Sequence, residues 1–173
     1  MSGKRDERQV QQVAEAITGL LAESVKETIA QRSPEPAREC VRELLAIDRA
    51  AAPEEAGGPA ELMATLGLIR WAGLARIELG ARPGWVEEVL AWIKDELGSR
   101  YRARARYTSG ALRGDAEAAE IMLYSQALGD DFLPSLVWLV AGTVAVYGQG
   151  DVAWLRDLER TALADPVAVQ QPD

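Results

Sequence analysis

The 173-residue sequence contains no histidine, a single cysteine, Cys40, and a single phenylalanine, Phe132. Without an imidazole, neither a Ser-His-Asp nor a Cys-His arrangement can be assembled from this chain, and the Glu-x-x-His pairs of di-iron bundles are excluded with them. One cysteine cannot form an intramolecular disulfide. Set between Glu39 and Val41, it reads as a small buried hydrophobe of a reducing compartment. Long apolar runs are also missing. The one candidate, the uncharged residues 132–148, is interrupted by Pro134 and Gly142 and flanked by Asp130, Asp131 and Asp151 rather than by basic anchors. A membrane span needs about 20 apolar residues, so this stretch predicts a helix buried inside the protein. The first residues mix both charge signs and lack the apolar core of a secretory signal, which points to a cytoplasmic protein that does not engage a membrane.

What is present is apolar and acidic: 48% hydrophobic residues and 27% charged, with 19 Lys and Arg against 27 Asp and Glu, for a net charge of −8. One domain over residues 9–165 is expected, with an N-terminal arm at 1–8 and a C-terminal tail at 166–173. The 29 Ala and 20 Leu outnumber 13 Val and 7 Ile. That balance favours an all-α fold, a compact bundle of six or seven helices. A short α-solenoid of helix pairs is the alternative, since residues 34–80 and 83–129 are equal in length and both end in Leu-Gly, but their apolar positions do not superpose.

The periodicity predicts helices over about 8–32, 36–52, 60–79, 85–97, 115–128, 132–147 and 152–165. Proline and glycine punctuate them at Ser33-Pro34, Pro53 to Pro59, Gly80 to Gly84, Gly129 and Gly148 to Gly150. The third is apolar on nearly every side, so it and the 132–147 helix are expected at the centre. Residues 100–107 repeat with period two, which leaves open a helical extension, a loop or an edge strand.

Carboxylates at helical spacing are the only catalytic material left, and they suit magnesium. Glu117 and Glu120, with Asp130 and Asp131 beyond them, form one such group, and Glu87, Glu88, Asp95 and Glu96 form another. A magnesium-dependent all-α phosphohydrolase is therefore an alternative, against the simpler reading of solvated acids and an Asp131 helix cap.

Charge is segregated most sharply from Arg100 to Arg113, where Arg100, Arg102, Arg104, Arg106 and Arg113 occur without an acid and the remainder of the chain sums to −13. Tyr101 and Tyr107 interleave with them, a pairing suited to anion contact and base stacking. The plainer reading is pairing with the protein's own acids, such as Glu96 with Arg100 four residues on. The acidic remainder disfavours a long nucleic acid.

Tryptophan is the apolar anomaly, with five residues. Trp85 and Trp92, seven apart, share a helix face, and Trp154 lies near the end of the chain. These three are candidate interface positions. Arg70, in the most apolar helix, calls for a carboxylate such as Glu78 or for a path to water. The sequence thus predicts a non-catalytic interaction, adaptor or regulatory protein that acts through apolar helix faces and self-associates, with no cofactor and no resident metal. An anion-, nucleotide- or nucleic-acid-binding module built on the arginines is the alternative.

Overall fold

The computed structural model describes residues 2–51, 58–114 and 131–164, with side chains from Glu7 onward. These residues form seven α-helices and no strand: α1 (Ser2–Gln31), α2 (Glu35–Ala51), α3 (Pro59–Leu79), α4 (Trp85–Glu96), α5 (Ser99–Leu112), α6 (Phe132–Tyr147) and α7 (Ala153–Ala164). The all-α bundle expected from the composition is what forms. α1 begins within the stretch expected as an arm. The helix expected over 115–128, with Glu117 and Glu120, lies outside the described residues, as do Asp130 and the tail.

α6 is the axis of the bundle and packs against α1, α2, α3, α4 and α5. Every residue from Leu133 to Val144 is buried, so the helix is enclosed around its whole circumference for more than three turns. An uncharged sequence permits this, since no side chain in that stretch carries a charge to desolvate. Its buried hydroxyls are satisfied locally. Thr143 donates to the Leu139 carbonyl at 2.7 Å, and Ser135 donates to Phe132 at 2.6 Å while meeting the Thr108 hydroxyl of α5 at 2.6 Å. α4 crosses closest at Gly142, where an added Cβ would lie 3.0 Å from a Val89 methyl and 3.3 Å from Ile93 and Trp92. No helix in the described residues is long and apolar enough to cross a membrane.

α3 departs from the expectation that it is central. Its inner face, with Ala64, Leu68, Trp71, Leu74 and Ala75, is buried against α1, α2, α6 and α7. Its outer face is equally apolar but lies in water among the described residues: Leu62, Leu66 and Ile77 are 60%, 57% and 52% exposed. A helix that is apolar all round satisfies two descriptions, enclosed or two-faced, and here the second holds.

The period-two stretch is helical. Gly98, at φ 123°, ends α4 in a conformation that favours glycine, and the chain restarts as α5. Arginine is a good helix former, so nothing in the repeat resists this outcome.

A carboxylate of one helix caps another. Asp48, buried near the end of α2, accepts hydrogen bonds from the Ala60 and Glu61 amides at 2.9 and 3.1 Å, two of the amides that open α3 without an intrahelical partner. Asp48→Ala should lower stability by about 1–2 kcal/mol in urea unfolding, the usual range for a lost N-terminal cap. Asp48→Asn, which keeps one acceptor, should lose less.

Cys40 is buried between α1 and α2, and burial pushes its thiol up to about 11 from an ordinary 9.0, against a smaller opposing contribution from the Ser24 hydroxyl. A group whose folded pKa lies above its unfolded one stabilises fully below the unfolded value, and this contribution is lost as pH rises through the folded one. The alkaline loss of stability between about pH 9 and 11 should therefore be shallower in Cys40→Ala than in the parent, by about 2–3 kcal/mol across the window. Chemical denaturation as a function of pH checks this.

Candidate functional site

The five arginines are divided by the helix that carries them. At 100° per residue, Arg100 and Arg104 fall on one flank of α5, and Arg102, Arg106 and Arg113 fall on the other. Between the flanks lies the face holding Ala105, Thr108 and Ser109, which is buried. The two flanks meet different partners. Arg102 lies 3.8 Å from Glu87 of α4, and Arg104 Nε lies 2.9 Å from Asp131 Oδ2 at the start of α6. Arg100, Arg106 and Arg113 are exposed and form no ion pair among the described residues. Glu96 is engaged elsewhere, 3.3 Å from Arg32, rather than with Arg100.

Asp131 is the strongest electrostatic point. It occupies the N-cap position of α6, but its carboxylate makes no capping bond. Instead Arg38 of α2 reaches it with two hydrogen bonds, Nε to Oδ1 at 3.1 Å and Nη2 to Oδ2 at 3.3 Å. The Arg104 Nε–H is not aimed at an oxygen, so that contact is charge pairing without a hydrogen bond. The Asp131 hydrogen bond holds Arg38 more firmly protonated than an ordinary guanidinium, outweighing the opposing effect of burial. Arg38, whose position on α2 suggests an outward side chain, is half-buried. Its guanidinium lies 5.3 Å from the Tyr101 ring centre and 5.9 Å from that of Trp138. Those rings meet edge-to-face at 4.9 Å, and the Trp138 indole donates to the Pro34 carbonyl at 3.3 Å. Tyr101 is thereby part of a structural corner, while Tyr107 is exposed.

Three of the acids of α4, Glu87, Glu88 and Glu96, are also engaged, while Asp95 is exposed. Glu88 accepts a 2.5 Å hydrogen bond from the Tyr147 hydroxyl, and burial together with this carboxylate pushes that phenol up to about 12. No group of three or more metal-ligating side chains occurs among the described residues. Arg70 is exposed and reaches water, and no ion pair with Glu78 forms.

The three candidate interface tryptophans are half-buried and packed on the core. Trp92 lies over Gly142, Trp154 lies over Gly148, and Trp85 lines a cleft. Three of the exposed large apolar side chains, Leu62, Leu66 and Ile77, are on α3, while Val10, Val13, Ile47 and Leu163 are exposed on α1, α2 and α7. Leu62, Leu66, Ile69, Gly73 and Ile77 fall within about 100° of one another around that helix, a stripe opposite its buried face.

Beside the stripe, α3, α4, α5 and α6 surround a cleft of about 120 Å³, open on one side. Trp85, Val86, Leu112 and Leu139 make its apolar wall, and the Ser109 and Thr143 hydroxyls interrupt it. Among the described residues, Arg76 and Arg113 are its only charged lining residues, and no acid contributes. Gly73 borders it, with nothing within 4 Å of where a Cβ would stand. This glycine opens space rather than admitting a neighbouring helix. Neither Arg76 nor the cleft was singled out in the sequence, because four separate helices build it. The one available signal was the cost of a glycine inside a helix.

The chain matches no family model, no curated protein and no solved structure.

Asp131→Ala would leave two largely buried guanidinium groups facing each other without a carboxylate. A loss of about 2–3 kcal/mol in urea unfolding is expected. Arg104→Met should cost less, because Asp131 keeps its paired bonds to Arg38.

Proposed function

We propose that this chain is a non-catalytic helical interaction protein whose working surface is the outer face of α3, and that a second copy of the chain is one of its partners. The carrying observation is the exposed stripe from Leu62 to Ile77. It runs about 22 Å along one helix, with three large aliphatic side chains more than half exposed. Scattered surface leucines are ordinary, but a continuous apolar line on a rigid helix is what helix-to-helix recognition uses. Burial of such a line stabilises association by about 25 cal/mol per Å² before the costs of ordering are subtracted. The helix is held from behind by the core and capped by Asp48, so the face is presented with little ordering left to do.

Trp154 packs behind α3 beside Leu74 and Ala75 in this reading, and Arg102 and Arg104 fasten α5 to α4 and α6. Sedimentation velocity over a range of concentrations tests the proposal. Wild-type protein should associate, and Leu62→Glu combined with Leu66→Glu should abolish association. Thermal stability should change little, because both side chains are exposed. A wild-type protein that stays monomeric throughout, or a double variant that associates as strongly, would overturn the proposal.

A further inference from the structure

We infer that the cleft between α3, α4, α5 and α6 is a binding site for a compact apolar carboxylate, a monoanion with a body the size of one ring or a short branched chain. Three observations converge on that chemistry. The first is size: a cavity of about 150 Å³ in a helical protein accepts benzene, and this cleft offers about 120 Å³ with one open side. The second is its wall, where Trp85, Val86, Leu112 and Leu139 present apolar surface from three helices. The third is charge. A chain of net charge −8 places two arginines and, among the described residues, no acid around this opening. Neither Arg76 nor Arg113 is paired with a carboxylate among the described residues.

The parts have separate roles. The apolar body lies against Trp85 and fills the space in front of Gly73. The carboxylate stays at the mouth, where a planar guanidinium pairs with it through two parallel hydrogen bonds. Ser109 supplies a hydroxyl on the α5 side. A neutral molecule of the same shape retains the wall but loses the arginines. A longer chain exceeds the space, and a dianionic phosphate carries a larger hydration shell to a shallow mouth. The site borders the α3 interaction surface and shares Ile69 and Gly73 with it, but neither Leu62 nor Leu66 lines it.

The test uses the full chain, with benzoate as probe, benzyl alcohol as its neutral counterpart and phenyl phosphate as the dianion. Binding is measured by calorimetry and by tryptophan emission, to which Trp85 contributes. Benzoate is expected to bind with a Kd below about 1 mM, and benzyl alcohol at least about tenfold more weakly. Benzoate affinity should fall as salt rises.

Arg76→Gln with Arg113→Gln should weaken benzoate at least about tenfold and leave benzyl alcohol unchanged, which a general loss of structure would not do. Gly73→Leu should remove binding of both, and it keeps the fold because leucine suits a helix interior and meets open space there. Leu62→Glu with Leu66→Glu should bind benzoate like wild type, so failure at the α3 stripe and failure at the cleft are read separately. Equal affinity for acid and alcohol, tighter binding of phenyl phosphate, undiminished binding in Gly73→Leu, or no binding of benzoate up to about 10 mM would each overturn the inference. Binding that appears only on dilution would assign the cleft to a second copy and overturn it as well.

Discussion

The structure depends on the complete burial of α6. A helix with no charge between Leu133 and Val144 can be surrounded only if every neighbour offers it an apolar face, and five helices do. Helices α1 and α2 expose scattered aliphatic side chains, Val10, Val13 and Ile47, on otherwise polar surfaces. α3 alone adds a second apolar face, on the side away from the core. The feature that most distinguishes this molecule is thus a residue of its architecture: a helix that satisfies the core with half of its circumference and leaves the other half for something else.

Electrostatics follows the same division. Most ion pairs are exposed and contribute little, as surface pairs usually do. Asp131 differs because it is largely buried and serves two arginines from distant parts of the chain. Two cations on one carboxylate leave a local surplus of positive charge, which the faces of Tyr101 and Trp138 soften for Arg38. At the opposite end of the balance stand Arg76 and Arg113, which have no such company. A single sequence cluster of basic residues therefore separates in space into fasteners, solvated side chains and one member of a cleft.

Much of the fold was legible because proline and glycine mark helix ends and α6 announces itself by lacking charge. The second-longest apolar segment was harder. Periodicity reports which sides of a helix are apolar but not which sides are covered, so α3 looked central when only half of it is. The state of residues 100–107 was ambiguous for the related reason that alternate arginines are compatible with any backbone. Asp131 looked like a cap because its partners stand 93 and 27 residues away, and no local pattern encodes them. The cleft needs residues from each of four helices. Arg113 was visible as part of a basic run, whereas Arg76 carried no signal beyond being a charge in an apolar helix, and Glu117 and Glu120 lie outside the described residues.

The corner formed by Arg38, Tyr101, Asp131 and Trp138 has an energetic consequence of its own. Each of these side chains touches at least one of the others, and together they tie the α1–α2 turn to α5 and to the first turns of α6. Groups that share partners in this way respond to substitution as a unit, so the losses from removing any two will not sum. Three segments far apart in the chain thereby share one set of contacts, and a substitution in any of them is felt by the other two.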